Sequence, residues 1–284
     1  MSQNIPEEKK KNSLKLDYVI EKPNPLLMIT NNLTITQSRL FEAFLCKINP
    51  HTDKPPYHVK FYLKEFYAAL QLKEDAHKKR INEKMKFICN ELREMHFEFT
   101  LYDNTQTSKS DYVPFEIINL FEKFAYKIDE NGGYFEITAT RPFEKMIQEF
   151  NKFGYVSYYW GNIFLLPSTR KKRFYDFLVK FKKNSIVLIS IQKLKEYLGI
   201  SETEYPLPSI FLREVIKKDI QAINELTNLS VKYKPLKEKG KTTKIQFFIQ
   251  EKPDYILPEK SYDSSPISLN NIEPFELSLN DDEV

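Results

Sequence analysis

The chain has 284 residues, 41% hydrophobic and 29% charged, which at roughly 150 residues per domain points to two folded units and excludes general disorder. Its two cysteines, Cys46 and Cys89, stand far apart with no Cys or His at metal-finger spacing, so a reduced, cytoplasmic chain is expected. The net charge of +4 hides opposed blocks: residues 163–252 hold 19 Lys/Arg against 9 Asp/Glu, 253–284 hold 1 against 8, and 1–162 are near balance at 23 against 22.

Residues 1–14 are polar and lysine-rich, without the apolar core of a signal peptide, and read as a flexible lead-in. In residues 15–140, Thr36 is the expected N-cap of a helix in which Leu40, Phe41, Phe44, Leu45 and Ile48 recur at helical spacing before Asn49 and Pro50. An extended piece at 57–61 leads into a helix at 63–70. A third helix is expected at 75–95, with Ile81, Met85, Ile88, Leu92 and Met95 on one face and Lys78, Lys79 and Lys84 opposite. The period then shifts towards two, with strands expected at 97–101, 112–118, 124–128 and 134–138 and a turn at Asn131-Gly132-Gly133. Three helices followed by hairpins is the order of a winged helix. Residues 141–162 read as a connector, with a short helix at 142–150 and an aromatic stretch, 155–160, of no assignable conformation.

The pattern then repeats over 163–252. Ser168 caps a helix holding Phe174, Phe177, Leu178 and Phe181; 186–189 is a short apolar strand; Ser190 caps a helix at 191–198 that Gly199 stops. A helix at 209–226 buries Leu212, Ile216, Ile220 and Ile223, and strands at 229–233 and 244–249 flank a lysine-rich tip at 237–241. The expected fold is therefore α+β, two tandem winged-helix domains. Residues 253–284, rich in Pro, Ser, Asn and acid, form an acidic tail expected to stay flexible.

On the 209–226 helix, Arg213, Lys217 and Gln221 are spaced i, i+4, i+8 and share the face away from the apolar stripe. That face suits either a DNA groove or plain solvent. In the DNA reading Arg213 forks onto a guanine edge, Lys217 and Lys218 suit phosphates, and Ser209 meets a phosphate or base. Two further basic features favour it: the tip lysines Lys237, Lys239 and Lys241, and the cluster Arg170, Lys171, Lys172 and Arg173. In the first half, Lys78, Lys79, Arg80 and Lys84 share their segment with Glu74, Glu83, Glu91 and Glu94, so a solvated face laced with i,i+4 pairs stands beside DNA contact there. That domain fits dimerisation as well as DNA.

Chemistry is sparse. With 6 glycines there is no phosphate-binding loop of the G-x-x-x-x-G-K type, since Pro235 stands where Gly240-Lys241 would need its first glycine. The histidines His51, His58, His77 and His96 lie singly, which gives no paired-His metal site, and Cys46 and Cys89 fall on expected core helices. No run nears the ~18 apolar residues of a membrane span. Neither an active site nor a cofactor is expected.

The second unit resembles the iteron-binding plasmid replication initiators. The resemblance is carried by Ser168, the run from Arg173 through Phe174, Tyr175, Asp176 and Phe177 to Leu178, the run 191–200, Tyr205, the run Phe211-Leu212-Arg213-Glu214-Val215-Ile216, the run 223–227, and the strand pieces Val231-Lys232-Tyr233 and Ile245-Gln246-Phe247. In the first half it is thinner, resting on Leu26 and the run 36–41. It implies two winged-helix domains, monomers on directly repeated origin DNA, dimers that repress the protein's own promoter, and recruitment of the host initiator and replicative helicase. Pro206 and Pro208 depart from the pattern and bear on the role of Ser209. A winged-helix transcription regulator without a replication role is the alternative. A nicking or primase enzyme is a third reading, and the tail serves solubility, competition with DNA or partner recruitment.

Overall fold

The computed structural model describes residues 16–29, 33–70, 86–87, 89–90, 93–100, 115–130, 132–149 and 154–256. Its first unit begins with β1 (Val19–Pro23), α1 (Asn24–Ile29) and α2 (Ile35–Cys46). The cap of α2 is Thr34, two residues before the expected Thr36. Thr34 Oγ1 accepts from the Gln37 N–H while the Gln37 side chain accepts from the Thr34 N–H, so two orphan donors of the helix start are satisfied reciprocally.

Next come β2 (His58–Tyr62), α3 (Leu63–Leu70), the ladder of β3 (His96–Thr100) with β4 (Phe115–Asn119), β5 (Phe121–Asp129), β6 (Gly132–Ala139) and α4 (Arg141–Gln148). The expected third helix lies mostly outside the described residues, as does Asn131 of the expected turn. In β2 the alternation is direct: Val59 and Phe61 are buried while His58 stands out to solvent. Its sheet has the order β2-β6-β5, all antiparallel. Under it lies an aromatic core in which Phe66 stacks on Phe135 at 4.4 Å, Phe44 meets Phe121 edge-on at 4.9 Å and Phe121 meets Phe143 at 5.8 Å. Each such ring removed from water contributes about 1.5–3 kcal/mol.

The aromatic stretch left unassigned by periodicity is β7 (Tyr155–Tyr159), antiparallel to β1 in the register Val19↔Tyr159 to Pro23↔Tyr155. It runs straight into α5 (Trp160–Phe164). Pairing 136 residues apart cannot be read from local pattern.

The second unit repeats the first. Helix α6 (Thr169–Phe181) is capped by Ser168, then follow β8 (Ile186–Ser190), α7 (Ile191–Leu198) capped by Ser190, a continuous helical run from Pro208 to Leu226, β9 (Leu229–Glu238) and β10 (Lys241–Glu251). Its sheet order, β8-β10-β9, matches β2-β6-β5 position for position. Gly199 ends α7 at φ 66°, returning its N–H to Glu196 O, and a Cβ there would fall 1.8 Å from Arg173 Nη1. Glycine is thus required twice over at this position, for the left-handed turn and for the close approach.

Two fully buried ion pairs cross from the first unit to α6. Lys22 Nζ lies 2.6 Å from Asp176 Oδ2 and Lys172 Nζ 2.7 Å from Glu42 Oε2, and Ser38 Oγ donates to the other Glu42 oxygen. Burial pushes the Lys172 ammonium down and the Asp176 carboxyl up from their ordinary values, so each ionised group is held in place by its partner against the cost of desolvation.

Candidate nucleic-acid interface

The run 208–226 is not one regular helix. It consists of α8 (Pro208–Phe211), a π segment (Leu212–Lys217) and α9 (Lys218–Leu226). Pro208 sits in the first turn, where its missing N–H costs nothing, so the two prolines set the start of the helix instead of breaking it. The wider turn changes the expected stripe. Phe211 and Val215 are buried in the first part and Ile216, Ile220 and Ile223 in the second, while Leu212 is only half-buried. The extra residue of the π turn absorbs that one-position shift.

The outward face holds Ser209, Arg213, Lys217, Lys218 and Gln221, all exposed. Glu214 organises it: Arg213 Nε lies 2.6 Å from one carboxylate oxygen and Lys218 Nζ 2.7 Å from the other, which pulls the Glu214 carboxyl down to about 2. Gln221 donates to Glu225 at 2.9 Å. Lys217 lies between these paired groups.

Beside the helix, β9 and β10 form a long hairpin closed by Lys239 (φ 49°) and Gly240 (φ 82°), the two positive φ values of a primed hairpin turn. Both strands extend well beyond the expected 229–233 and 244–249, carrying Lys237, Lys239 and Lys241 to an exposed tip. Pro235 stands within β9, which is an edge strand, where proline is tolerated. Lys232 and Lys234 are exposed on β9 as well. Their signal was present in the alternation of Leu229, Val231 and Tyr233 with Ser230, Lys232 and Lys234.

The 170–173 cluster does a different job from the expected one. Lys172 and Arg173 are buried, the first against Glu42 and the second donating to Leu198 O at 2.8 Å, with burial bringing the Arg173 guanidinium down to about 10. Neither reaches the surface, because α6 turns Lys172 towards α2 of the first unit and Arg173 towards the end of α7. Arg170 forks onto Asp219 at 2.8 and 3.1 Å and Lys171 approaches the same carboxylate at 3.5 Å. Asp219 is fully buried, so these two cations clamp α9 to α6 while their outer edges stay partly exposed. Lys195 and Lys252 are also structural: Lys195 Nζ donates to Glu204 O at 2.6 Å and Tyr205 O at 3.0 Å, pinning the turn before α8, and Lys252 Nζ donates to Asn224 O and Thr227 O at the C-terminal end of α9, where a cation meets the negative end of the helix dipole.

In the first unit, Lys78, Lys79, Arg80 and Lys84 lie outside the described residues. The cations on its β2-β6-β5 sheet are paired: Lys60 with Asp129, and Lys127 with Glu136 at 2.8 Å. Among the described residues no His, Cys, Asp and Glu cluster could hold a metal, and no helix is long and apolar enough to cross a membrane. His51 pairs with Glu21, His58 Nδ1 meets Thr138 Oγ1 and His96 Nδ1 meets Glu94 O, while His77 lies outside the described residues. Cys46 is buried and its thiol is pushed well up; burial raises that of Cys89 to about 11.

Two sequence profiles match the chain: that of the initiator replication protein WH1 domain over residues 19–179 and that of the initiator Rep protein WH2 domain over 190–249. The chain belongs to the initiator Rep protein family. Its two units are the WH1 and WH2 winged helices of that family, and WH1 extends through β7 and α5 into α6. Among solved structures, the Rep chain is similar to the Pi initiator protein, crystallised in complex with iteron DNA, at a TM-score of 0.63 and 21% identity over 83% of this chain and 98% of that one. Domains 2 and 3 of RctB align at a TM-score of 0.40 and 12% identity over 80% of this chain and 81% of that one. No curated protein sequence matches.

Proposed function

We propose that this initiator Rep protein starts plasmid replication by binding directly repeated double-stranded DNA at the origin, acting through binding and not catalysis. The observation that carries the reading is the WH2 surface, where the exposed Arg213, Lys217 and Gln221 face stands on the helical run beside a wing tip bearing Lys237, Lys239 and Lys241. The family membership and the likeness to a protein crystallised on iteron DNA support it.

The helical run enters a major groove, Arg213 exchanges Glu214 for the O6 and N7 of a guanine, and the wing lysines and Lys217 neutralise flanking phosphates. WH1 supplies a second DNA contact or the dimer contact, with Lys78, Lys79, Arg80 and Lys84 as its basic face. Monomers on clustered repeats help open adjoining A·T-rich DNA and recruit the host initiator and the replicative helicase, and dimers repress the protein's own promoter in the bacterial cytoplasm. Replacing Arg213 with Ala is expected to cost about 1–3 kcal/mol on the cognate repeat and to relax specificity at one position, while replacing Lys239 weakens all sequences evenly. Equal losses on cognate and random DNA for both changes would overturn the assignment.

A further inference from the structure

The outer face of the WH2 sheet carries an apolar patch that the DNA reading does not use. Strand register sets Ile186, Phe248 and Lys232 side by side, and Leu188, Gln246 and Lys234 beside them. Their neighbours Val187 and Phe247 turn into the core, so these six point outwards. Ile186 is 48% exposed, Leu188 55% and Phe248 36%. Scattered exposed aliphatics are ordinary, but three in contiguous register beside two lysines form a surface that fits an apolar segment with acidic flanks.

The chain contains such a segment. Strand β10 ends at Glu251, three residues past Phe248, and the described chain ends at Ile256 with 28 residues to follow. In those residues Phe275, Leu277 and Leu279 alternate with Glu276 and Ser278, preceded by Ile272-Glu273 and followed by Asp281, Asp282 and Glu283. The described chain ends on the α9 side of the sheet, where Tyr255 donates to Leu226 O, and the residues 257–271 reach up to ~50 Å, several times the ~10 Å thickness of a packed layer that they must pass round to reach this face. Tethering gives the segment an effective concentration of order millimolar at this face. A second copy fits less well, since it brings its own Lys232 and Lys234 and a WH2 unit of the same net positive charge.

We propose that residues 272–283 dock in cis on this face, Phe275, Leu277 and Leu279 covering Ile186, Leu188 and Phe248 while the acids meet Lys232 and Lys234. The test is site-specific photo-crosslinking in the full chain. A benzophenone-bearing residue is placed by Leu188→p-benzoylphenylalanine, a half-exposed position outside the core, and in a control by Lys239→p-benzoylphenylalanine at the wing tip. After irradiation and trypsin digestion, the last cleavage follows Lys260, so the whole segment appears as one peptide, 261–284. The expected result is a link from position 188 to that peptide at monomer mass, absent from position 239. Its yield should drop about tenfold or more in the full chain carrying F275S, L277S and L279S, because even one buried Leu-sized contact is worth that factor. A link at dimer mass, no link, an equal link from position 239, or a yield unchanged by the triple substitution would each overturn the proposal.

Discussion

Replacing Lys172 with Ala separates a seam residue from a DNA contact. Its ammonium lies 2.7 Å from Glu42 Oε2 with both side chains almost wholly buried, so the substitution leaves a carboxylate in the interior with the Ser38 hydroxyl on its other oxygen. Removing one partner of a buried pair costs about 3–5 kcal/mol, a large share of the ~5–15 kcal/mol that holds a folded protein together. At roughly 2–4 °C per kcal/mol for domains of 150–250 residues, Tm should fall by roughly 6–20 °C in circular-dichroism melts at pH 7. The pKa directions sharpen this. A lysine whose folded value is lowered gives up stability as pH falls through that value, and an aspartate whose folded value is raised gives it up as pH rises through that value. Near neutral pH, below the ordinary lysine value and above the ordinary aspartate value, the charged forms of Lys172 and Asp176 are therefore both held at a cost. Replacing Lys172 and Glu42 together by Met should restore most of the lost Tm. A K172A protein with wild-type Tm and a salt slope on repeat DNA shallower by about one would refute the seam and return Lys172 to the phosphates.

Gly199→Ala should destabilise WH2 by about 1–2 kcal/mol from the left-handed backbone alone, more from the displaced Arg173, measurable as a lower urea midpoint. With the Cys89 thiol at about 11, the folded protein at pH 8 has only about one thiolate per thousand at that site, so iodoacetamide should modify Cys89 slowly until denaturant is added; rapid labelling of native protein would contradict the burial. Binding to the cognate repeat should weaken with salt at a slope of −5 to −7, the value for about 6–8 phosphate contacts. Because the Glu214 carboxyl lies at about 2, protonation of this residue should leave affinity unchanged from pH 8 down to pH 5. A titration centred between 4 and 5 that vanishes in E214Q would show that its ion pairs with Arg213 and Lys218 do not form.

The WH2 fold was legible because its signals are local: Ser168 and Ser190 cap where expected, Gly199 stops α7, and two-residue alternation marks β9 and β10. What escaped was non-local or depended on geometry beyond a fixed period. The strand β7 exists only through its pairing with β1, and the π turn moved the buried stripe from Leu212 to Phe211 and Val215, which a constant 3.6-residue spacing cannot show. The 170–173 run misled for a further reason. Four adjacent cations on a helix of period 3.6 point in nearly all directions, so a cluster in sequence is not a patch in space. Two of the four faced a core that supplied Glu42 and Leu198 O to receive them.

That redistribution changes where the electrostatic work is done. Of the cations in 163–252, Arg170, Lys171, Lys172, Arg173, Lys195 and Lys252 are committed to partners inside the fold, and Lys218 and Lys244 are held by Glu214 and Glu238. The charge left at the surface therefore lies chiefly on the helical face and on the wing lysines, with Lys232 and Lys234 standing on the outer face of the sheet. The same internal cations hold those surfaces in place: Arg170 and Lys171 fix α9 through Asp219, Lys252 caps its end, and Lys195 ties down the turn that leads into it. A basic sequence block thus divides into charges left at the surface and charges that tie the fold together, and under the proposed function only the first group should appear in the salt dependence of binding.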